Sequence, residues 1–350
     1  MTALMDEIKL QPAALELVRT YYGREHARLT ESLEKMAGSS PRSILFTGMG
    51  SSLFAAYPAQ AWLTNLGFQA TAWETSELLY HHLNFLQKGT LVVIVSQSGE
   101  SAEIVRLLDH LPAGIPLVAV VNDEDSTLAR RAGFVLPMLA GPQCTVTSST
   151  FTCSVAALMY LGFAIAGKPC RALSEVVRDA ARQQERLIES FHRTLTPVID
   201  VLGSVPYAVL MSRGPDLSTV HQASLMFKEV AHLAAEPMSA AHFRHGPVEM
   251  VSPEHGYVIF ARHGNRPESG KLLVKLAGDI DAYGGRVVLL TDQPAAKGRN
   301  TTTIRVQPLR LGLGTLVDSV YVQLIVHELA VRAGVEPGVL KVAQNVTTEE

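Results

Sequence analysis

Residues 1–40 differ from the rest of the chain in the spacing of their apolar positions. From residue 11 to residue 38 the sequence QPAALELVRTYYGREHARLTESLEKMAG repeats apolar residues three and four apart and ends on a glycine. This is the period of a helix followed by a stop signal, so residues 1–40 are predicted to be N-terminal helices. Short, continuous apolar runs follow, beginning with SILFTG at 43–48.

Further apolar runs recur through the first half, separated by stretches with helical spacing. They are LVVIVS at 91–96, PLVAVVN at 116–122 and FVLPML at 134–139. Strands that are apolar at every position and alternate with helices are typical of a parallel sheet covered on both faces. The longest apolar stretch, VAALMYLGFAIAG at 155–167, is too short to span a membrane and is predicted to be a buried helix.

The second half of the chain repeats this plan. YAVLMSRG at 207–214, GYVIFARHG at 256–264 and RVVLLTD at 286–292 correspond in order and spacing to the first three apolar runs. The repeat predicts two tandem α/β domains, each with a mainly parallel sheet flanked by helices in a flavodoxin-like three-layer sandwich. We expect the domains at 41–170 and 196–338, joined by a helical linker at 171–195.

Composition narrows the classes of function. The net charge is −3, so neither nucleic acid nor an acidic membrane surface is an expected partner. The three cysteines, Cys144, Cys153 and Cys170, are odd in number and have no paired spacing, which argues against disulfides or a zinc site. The sequence MTALMDEIKL has no apolar segment of the kind found in signal peptides, so a cytoplasmic protein is expected.

Hydroxyl-rich segments follow the first two predicted strands and precede the long apolar helix. In a parallel sheet such loops lie at the carboxyl edge, beside helix N-termini that attract anions. The loop VSQSGES at 95–101 contains no lysine or arginine, so it suits a sugar phosphate held by neutral donors; a plain capped turn is the alternative. The candidate phosphate-binding residues are Ser52 in GMGSS, Ser96, Gln97, Ser98 and Ser101 in VSQSGES, and Ser148 and Ser149 in TVTSST.

Two further side chains are candidates for acid–base chemistry. Glu229 follows Lys228 and interrupts the otherwise apolar helical pattern of HQASLMFKEVAHLAAEP. It is either a paired structural carboxylate or, if desolvated in a pocket, a proton-transfer base. His245 precedes Gly-Pro and is therefore expected to be accessible, in a loop or at a helix end. His242 and His245 lack a convincing further ligand nearby, so neither a metal nor a cofactor is expected.

The motifs together resemble proteins with two sugar isomerase (SIS) domains. They are VSQSGES, GMGSS, residues 212–250 and the tail LKVAQNVTTEE. The pattern is similar to the isomerase half of glutamine–fructose-6-phosphate aminotransferases, and fructosamine-6-phosphate deglycases and SIS-type glucosamine-6-phosphate deaminases share it. The resemblance implies that the hydroxyl-rich loops hold the 6-phosphate. It also implies that Glu229 moves a proton between C1 and C2, and that His245 assists ring opening from the neighbouring subunit of a homodimer.

Three departures from this pattern bear on the reaction. Residue 2 is Thr2 and no glutaminase domain with a cysteine nucleophile is seen, so no glutaminase activity is expected. The tail lysine that forms an imine in the aminotransferase is matched by Gln344, which cannot form one, in a tail (339–350) expected to cover the active site. A second lysine is matched by Met226. These departures favour a substrate that already carries nitrogen, namely a 6-phosphorylated amino sugar or a fructosamine.

Two alternatives to a deglycase or deaminase remain open. One is an aldose–ketose phosphosugar isomerase, which needs the same carboxylate base. The other is a non-catalytic sugar-phosphate sensor, although residues 1–40 are too short and too neutral to supply a DNA-binding domain. A homodimer is also expected because long apolar helices such as 155–167 leave surface that a partner can cover.

Overall fold

The chain divides into two units, each containing one five-stranded parallel sheet within the described residues. The N-terminal unit contains residues 10–143 and 147–178, and the C-terminal unit contains residues 179–340 together with residues 2–9. The structure is a computed structural model, and it describes residues 2–38, 41–143, 146–262, 267–295 and 297–342.

The sheet of the N-terminal unit has the strand order β2-β1-β3-β4-β5. Its strands are β1 Ser43–Gly48, β2 Ala70–Glu74, β3 Thr90–Ser96, β4 Leu117–Val121 and β5 Phe134–Pro137. Each residue of β3 and β4 is buried, as continuous apolar runs predict. Because β2 and β3 flank β1 on opposite sides, the direction of winding reverses between β1 and β3. This topological switch point is where open parallel sheets bind ligands.

Seven described helices precede or cover this sheet. They are α1 Ala3–Ala37, α2 Ser51–Phe54, α3 Tyr57–Asn65, α4 Thr75–His81, α5 Ala102–His110, α6 Thr127–Arg131 and α7 Ser149–Ile165. Where the sequence predicted several N-terminal helices, the described residues form the single helix α1, which ends before Gly38 at a φ of 77°. Glycine adopts this left-handed conformation without strain, so the predicted glycine stop is confirmed.

Helix α7 is buried along its whole length. The prediction of a buried helix is therefore confirmed, but the expectation that this stretch leaves apolar surface for a partner is wrong, because the chain itself covers residues 155–165. No described helix is both long enough and apolar enough to cross a bilayer.

The sheet of the C-terminal unit repeats the topology of the first. Its strands are β6 Tyr207–Ser212, β7 Ala234–Ser239, β8 Gly256–Ala261, β9 Arg286–Thr291 and β10 Thr301–Arg305, in the order β10-β9-β8-β6-β7. Read from β7, this is the strand order of the first sheet, and its switch point lies between β6 and β8. The helices are α8 Arg171–Leu202, which contains the predicted linker, α9 Leu217–Glu229, α10 Ala240–Phe243, α11 Pro267–Ala282 and α12 Thr315–Arg332. The prediction of two tandem α/β domains is confirmed.

Three strands, β2, β7 and β10, were not predicted, and all three lie at sheet edges. Edge strands are covered less completely, so they need no continuous apolar run. The sequence of β10, TTTIR, has one buried residue, and β7 contains Pro237, which a sheet tolerates only at an edge. The helical pattern predicted through HQASLMFKEVAHLAAEP therefore extends too far, because α9 ends at Glu229 and β7 begins at Ala234.

Candidate functional site

The loops that follow β1 and β3 meet at the switch point of the N-terminal unit. A Cβ atom on Gly48, the last residue of β1, would lie 2.8 Å from the carbonyl oxygen of Val95 and 2.9 Å from the Cβ of Ser52. Such contacts are too short for any side chain, so the glycine allows the turn after β1 to lie against the end of β3. Ser52 is thereby brought beside the loop that begins at Ser96.

Hydrogen bonds within the loop fix the conformation of residues 96–101. The hydroxyl of Ser96 is buried and accepts the N–H of Gly99 at 3.0 Å, and the hydroxyl of Ser98 accepts the N–H of Glu100 at 3.2 Å. The carbonyl of Gln97 accepts the N–H of Asn122 at 3.0 Å. The loop is therefore a built turn that is anchored to the end of the neighbouring strand β4.

Gly99 makes the closest packing contact of the loop. Its φ is 66°, and a Cβ atom there would lie 2.2 Å from the Oγ and 2.6 Å from the Cβ of Ser126. Only glycine satisfies both the left-handed backbone and this close approach. Ser126 is itself held in place, because its hydroxyl accepts the N–H of Ala129 at 3.3 Å as the N-cap of α6.

Ser101 occupies the N-cap position of α5 but does not act as a side-chain cap. No side-chain hydrogen bond caps this helix, whereas Ser126 caps α6. The alternative explanation of the loop as an ordinary capped turn therefore fails at Ser101, whose half-buried hydroxyl the helix does not use. A free hydroxyl beside the N–H groups of a helix N-terminus is suited to binding an anion.

Two carboxylates of this region were not considered in the sequence analysis. The side chain of Glu100 accepts the N–H of Thr127 in the first turn of α6. The Glu100 carboxylate therefore binds α6 and not α5, the helix that follows its own loop. Glu103 is buried in the first turn of α5, where the helix dipole favours a negative charge. The loop is thus fixed by Asn122, Ser126 and Glu100. The one sequence signal for these residues is that they follow the ends of apolar strands.

Asn122 also connects this loop with the segment that precedes α7. Its side-chain amide donates to the carbonyl of Gly141 at 2.8 Å and accepts the N–H of Ala140 at 3.2 Å. The hydroxyl of Ser149 donates to the carbonyl of Ala140 at 3.2 Å. Ser148 is fully buried at the N-cap of α7. The hydroxyl hydrogen of Ser149 is therefore already used within the protein.

Ser51 has a different environment. Its side chain is 7% exposed, and its Oγ has no hydrogen-bond partner among the described residues. Buried hydroxyls are nearly always paired, so an unpaired one needs a partner from outside the chain. Its position directly after Gly50, at the switch point, supports the assignment of this edge of the sheet as a binding site.

Glu229 is the last residue of α9 rather than an interruption within a longer helix. Burial raises the pKa of its carboxyl to about 7 and is the cause of this shift. Within the described part of the chain, neither Lys228 nor any arginine forms an ion pair with it, so the paired structural carboxylate is not seen. A carboxyl with a pKa near 7 is suited to proton transfer at neutral pH.

His245 lies in the turn after α10 and is exposed, as the sequence predicted. Its backbone N–H donates to the carbonyl of His242 at 2.9 Å, and Gly246 follows with a φ of 131°. Met226 is fully buried in α9. Gln344 lies outside the described residues. Glu229 and His245 belong to the C-terminal unit, and the hydroxyl-rich loops belong to the N-terminal unit.

The switch point of the C-terminal unit is closed by an internal ion pair. Arg262 follows β8, as Gln97 follows β3, and is buried. Its guanidinium donates to both carboxylate oxygens of Asp318, at 2.9 and 2.5 Å, and to the carbonyl of Gln307 at 2.6 Å. A guanidinium therefore lies where the N-terminal unit has a loop of neutral donors. The two switch points are therefore not chemically equivalent.

Asp216 completes this buried cluster. It follows β6. A Cβ atom added to Gly314 would lie 3.1 Å from Oδ1 of Asp216 and 2.9 Å from Cδ of Arg262, so both side chains pack against this glycine. The pKa of Asp216 is raised to about 8; burial is the largest cause, the nearby charge of Asp318 also raises the pKa, and Arg262 lowers it. One carboxyl of the cluster is thus neutral at pH 7, and Asp318 is the counter-ion of Arg262.

A family model described as the SIS domain matches residues 39–165. Glutamine–fructose-6-phosphate aminotransferase of Zymomonas mobilis is 27% identical over 329 residues, which cover 89% of this chain and 53% of that protein. The enzyme of Bradyrhizobium diazoefficiens is 29% identical over 326 residues, which cover 87% of this chain and 52% of that protein. The chain thus spans about half the length of these curated relatives.

Solved structures share the fold over nearly the whole chain. The C-terminal domain of glucosamine-fructose-6-phosphate aminotransferase from Francisella tularensis superposes with a TM-score of 0.85 at 18% identity, covering 96% of this chain and 97% of that one. Tagatose-6-phosphate ketose/aldose isomerase from Escherichia coli gives 0.81 at 20% identity, covering 97% and 96%. Glucosamine-6-phosphate deaminase from Thermotoga maritima gives 0.69 at 18% identity, covering 94% and 99%.

Proposed function

Since residues 39–165 are an SIS domain, within a chain that has the fold of two tandem SIS domains, we propose that this protein binds a 6-phosphorylated amino sugar or fructosamine and releases its amine. The phosphate binds at the switch point of the N-terminal unit, in the loop 96–101 and beside Ser52. The uncapped hydroxyl of Ser101 and the unpaired hydroxyl of Ser51 support this location.

The observation that carries the catalytic part of the proposal is the carboxyl of Glu229. Its pKa of about 7 and its lack of an ion-pair partner among the described residues are properties of a proton-transfer base. In the open-chain amino aldose, Glu229 removes the proton from the carbon that bears the amine and returns a proton to C1. The resulting imine at C2 is hydrolysed by water, which yields the keto sugar phosphate and the free amine. In an open-chain fructosamine the nitrogen is on C1, so the same base moves a proton from C1 to C2, and hydrolysis of the imine at C1 yields the aldose phosphate and the free amine.

The remaining roles follow the same chemistry. His245 is exposed and assists ring opening, and it reaches the site of a neighbouring subunit in a homodimer. No lysine imine is required, because the substrate already carries the nitrogen, and Met226 and Gln344 stand at the positions of the two family lysines.

A screen for amine release tests the reaction. Glucosamine 6-phosphate and a series of fructose–amino-acid 6-phosphates are incubated with the protein. Ammonia and keto sugar phosphate are quantified for the first substrate, and amino acid and aldose phosphate for the others. We expect amine release from at least one of them. Borohydride added during turnover should trap no sugar on the protein, because no imine to the chain forms. A borohydride-trapped adduct would exclude the mechanism without a lysine.

A variant with Ser98→Ala and Ser101→Ala tests the phosphate site separately. Two lost hydrogen bonds at about 1–1.5 kcal/mol each should weaken calorimetric binding of the phosphorylated substrate by roughly 2–3 kcal/mol. Ser190→Ala, which removes a hydroxyl from α8 in the C-terminal unit, is the matched control and should leave affinity unchanged. Equal affinities for both variants would exclude loop 96–101 as the phosphate site.

Aldose–ketose isomerisation is the second candidate, because the same base moves a proton between C1 and C2 of a sugar without nitrogen. The screen includes hexose 6-phosphates for this reason. Interconversion of aldose and ketose phosphates with no amine release from any amino sugar would replace the first proposal by this one.

A further inference from the structure

A cavity of about 470 Å³ lies in the N-terminal unit, away from the loops described above. Ser43 and Thr90, which begin β1 and β3, line it, and their hydroxyls are hydrogen bonded at 2.9 Å. Because the two strands are parallel, this is the amino edge of the sheet, opposite the switch-point loops that follow Gly48 and Ser96. The volume is in the range of small-molecule sites.

The cavity carries a fixed positive charge at Arg42, which no carboxylate among the lining residues offsets. Arg42, His81 and His82 line it, and no lining residue is acidic, although the chain as a whole has more acidic than basic residues. Within the described part of the chain, none of these three side chains has an ion pair or a side-chain hydrogen bond with the protein. Basic groups without internal partners around a cavity favour an anionic ligand.

Aromatic rings and amides form the rest of the wall. The Trp73 ring lies 4.8 Å from the His82 ring and 4.7 Å from the Phe85 ring, and both Trp73 and Phe85 are partly buried against the core. Aromatic faces pack against the flat face of a sugar or a base. The amides of Asn84 and Gln69 supply donors and acceptors for hydroxyls or ring nitrogens.

We propose that this cavity is a second ligand site, which takes a small phosphorylated compound that contains a ring. The phosphate lies against Arg42 and His82, and the ring lies against Trp73 and Phe85. Sugar phosphates and nucleoside monophosphates share this chemistry. The lining of this site includes neither loop 96–101 nor Glu229. The proposal of a second site therefore does not depend on the proposed reaction.

Tryptophan fluorescence reports on this cavity directly. The chain has two tryptophans, so Trp62→Phe leaves Trp73 as the sole reporter, and Trp62 stacks on Phe163 at 4.3 Å, a contact that phenylalanine preserves in kind. This variant is titrated with glucose 6-phosphate and, in a second arm, with adenosine monophosphate, with excitation at the red edge of the tryptophan band. We expect saturable quenching in one arm, and the stronger arm identifies the source of the ligand.

Two double substitutions and one control, each added to Trp62→Phe, separate this site from the phosphate loop. Ser98→Ala with Ser101→Ala should leave the quenching curve unchanged, whereas Arg42→Ala with His82→Ala should weaken binding by at least about tenfold. Lys88→Ala removes an exposed charge that does not line the cavity and should change nothing. The proposal is overturned by the absence of quenching in both arms, by its loss in the loop variant, or by equal binding in the Arg42/His82 and Lys88 variants.

Discussion

Glu229 is a side chain whose placement costs stability, as the proposed role of a proton-transfer base requires. It combines partial burial with the last position of helix α9, where the negative end of the helix dipole also disfavours a carboxylate. A structural carboxylate is instead paired with a cation, which lowers its pKa and stabilises the folded chain. The two roles therefore predict opposite effects on stability when the charge is removed.

We expect Glu229→Gln to lower turnover by about 10²–10⁴-fold while substrate binding is retained, since amide shape is similar but no proton is accepted. The same substitution should raise the free energy of unfolding above pH 7, by on the order of 1–3 kcal/mol. Kinetics, calorimetric binding and urea unfolding measure the three quantities. Glu254→Gln, at an exposed position, is the control and should alter none of them.

The sign of the pH dependence follows from the raised pKa. The folded chain holds the Glu229 proton up to about pH 7, whereas the unfolded chain releases it near 4.5, so stability falls as the pH rises between these values. The gain of the Gln variant should be absent at pH 4 and complete above pH 7, and wild-type kcat/KM should rise through pH 7. Lower stability of the Gln variant at pH 8 would show that Glu229 is a structural carboxylate.

At the scale of elements, the turn between β3 and α5 depends on a contact with α6. Gly99→Ala places a methyl group against Ser126 and forces a left-handed backbone on alanine. We expect a loss of about 1–3 kcal/mol in stability, together with weaker binding of the phosphorylated substrate. Thermal unfolding and calorimetry measure the two effects.

Gly114→Ala is the matched control for Gly99→Ala. Its φ is 80°, but no atom lies within 4 Å of the added Cβ, so it has the backbone strain without the clash. Its cost should be about 1 kcal/mol, with normal binding. If both variants lost the same stability and bound substrate equally, the contact with Ser126 would not determine the shape of the loop.

The elements that the sequence predicted are those whose burial requires apolar residues at every position. β3 and β4 are central and fully buried, whereas the edge strands β2, β7 and β10 carry no such pattern. The candidate loop was recognisable because its hydroxyls follow a strand. The roles of Asn122 and Ser126 depend on hydrogen bonds between residues distant in sequence, which local patterns do not encode. The place of Gln344 remains a prediction, since it lies outside the described residues.

At the scale of the whole molecule, the two sheets share one topology, but different residues occupy their switch points. The switch point of the C-terminal unit is filled by Arg262, its ion-pair partner Asp318, and Asp216, whose pKa is raised to about 8. We expect Asp318→Asn to cost about 3–5 kcal/mol, because it leaves the buried Arg262 unpaired. Asp216→Asn should instead raise stability at pH 7, by on the order of 2–4 kcal/mol, because the folded chain keeps the Asp216 proton that the unfolded chain releases near pH 3.8, and an amide avoids this cost.

Urea unfolding of these two variants across pH separates the two carboxyls. The raised pKa of Asp216 means that wild-type stability falls as the pH rises towards 8, and the Asn variant should remove that decline. Equal costs for the two substitutions at pH 7 would contradict the assignment of Asp318 as the counter-ion of Arg262.

Arg262 also determines the charge balance of the C-terminal switch point when no ligand is bound. Arg262 and its counter-ion Asp318 both belong to the chain. The charges at the C-terminal switch point are therefore balanced as soon as β8 and α12 pack together. At the N-terminal switch point the charge balance changes whenever the proposed anion binds or leaves. One unit thus has a charge balance that the chain itself fixes, and the other has a charge balance that depends on its proposed ligand.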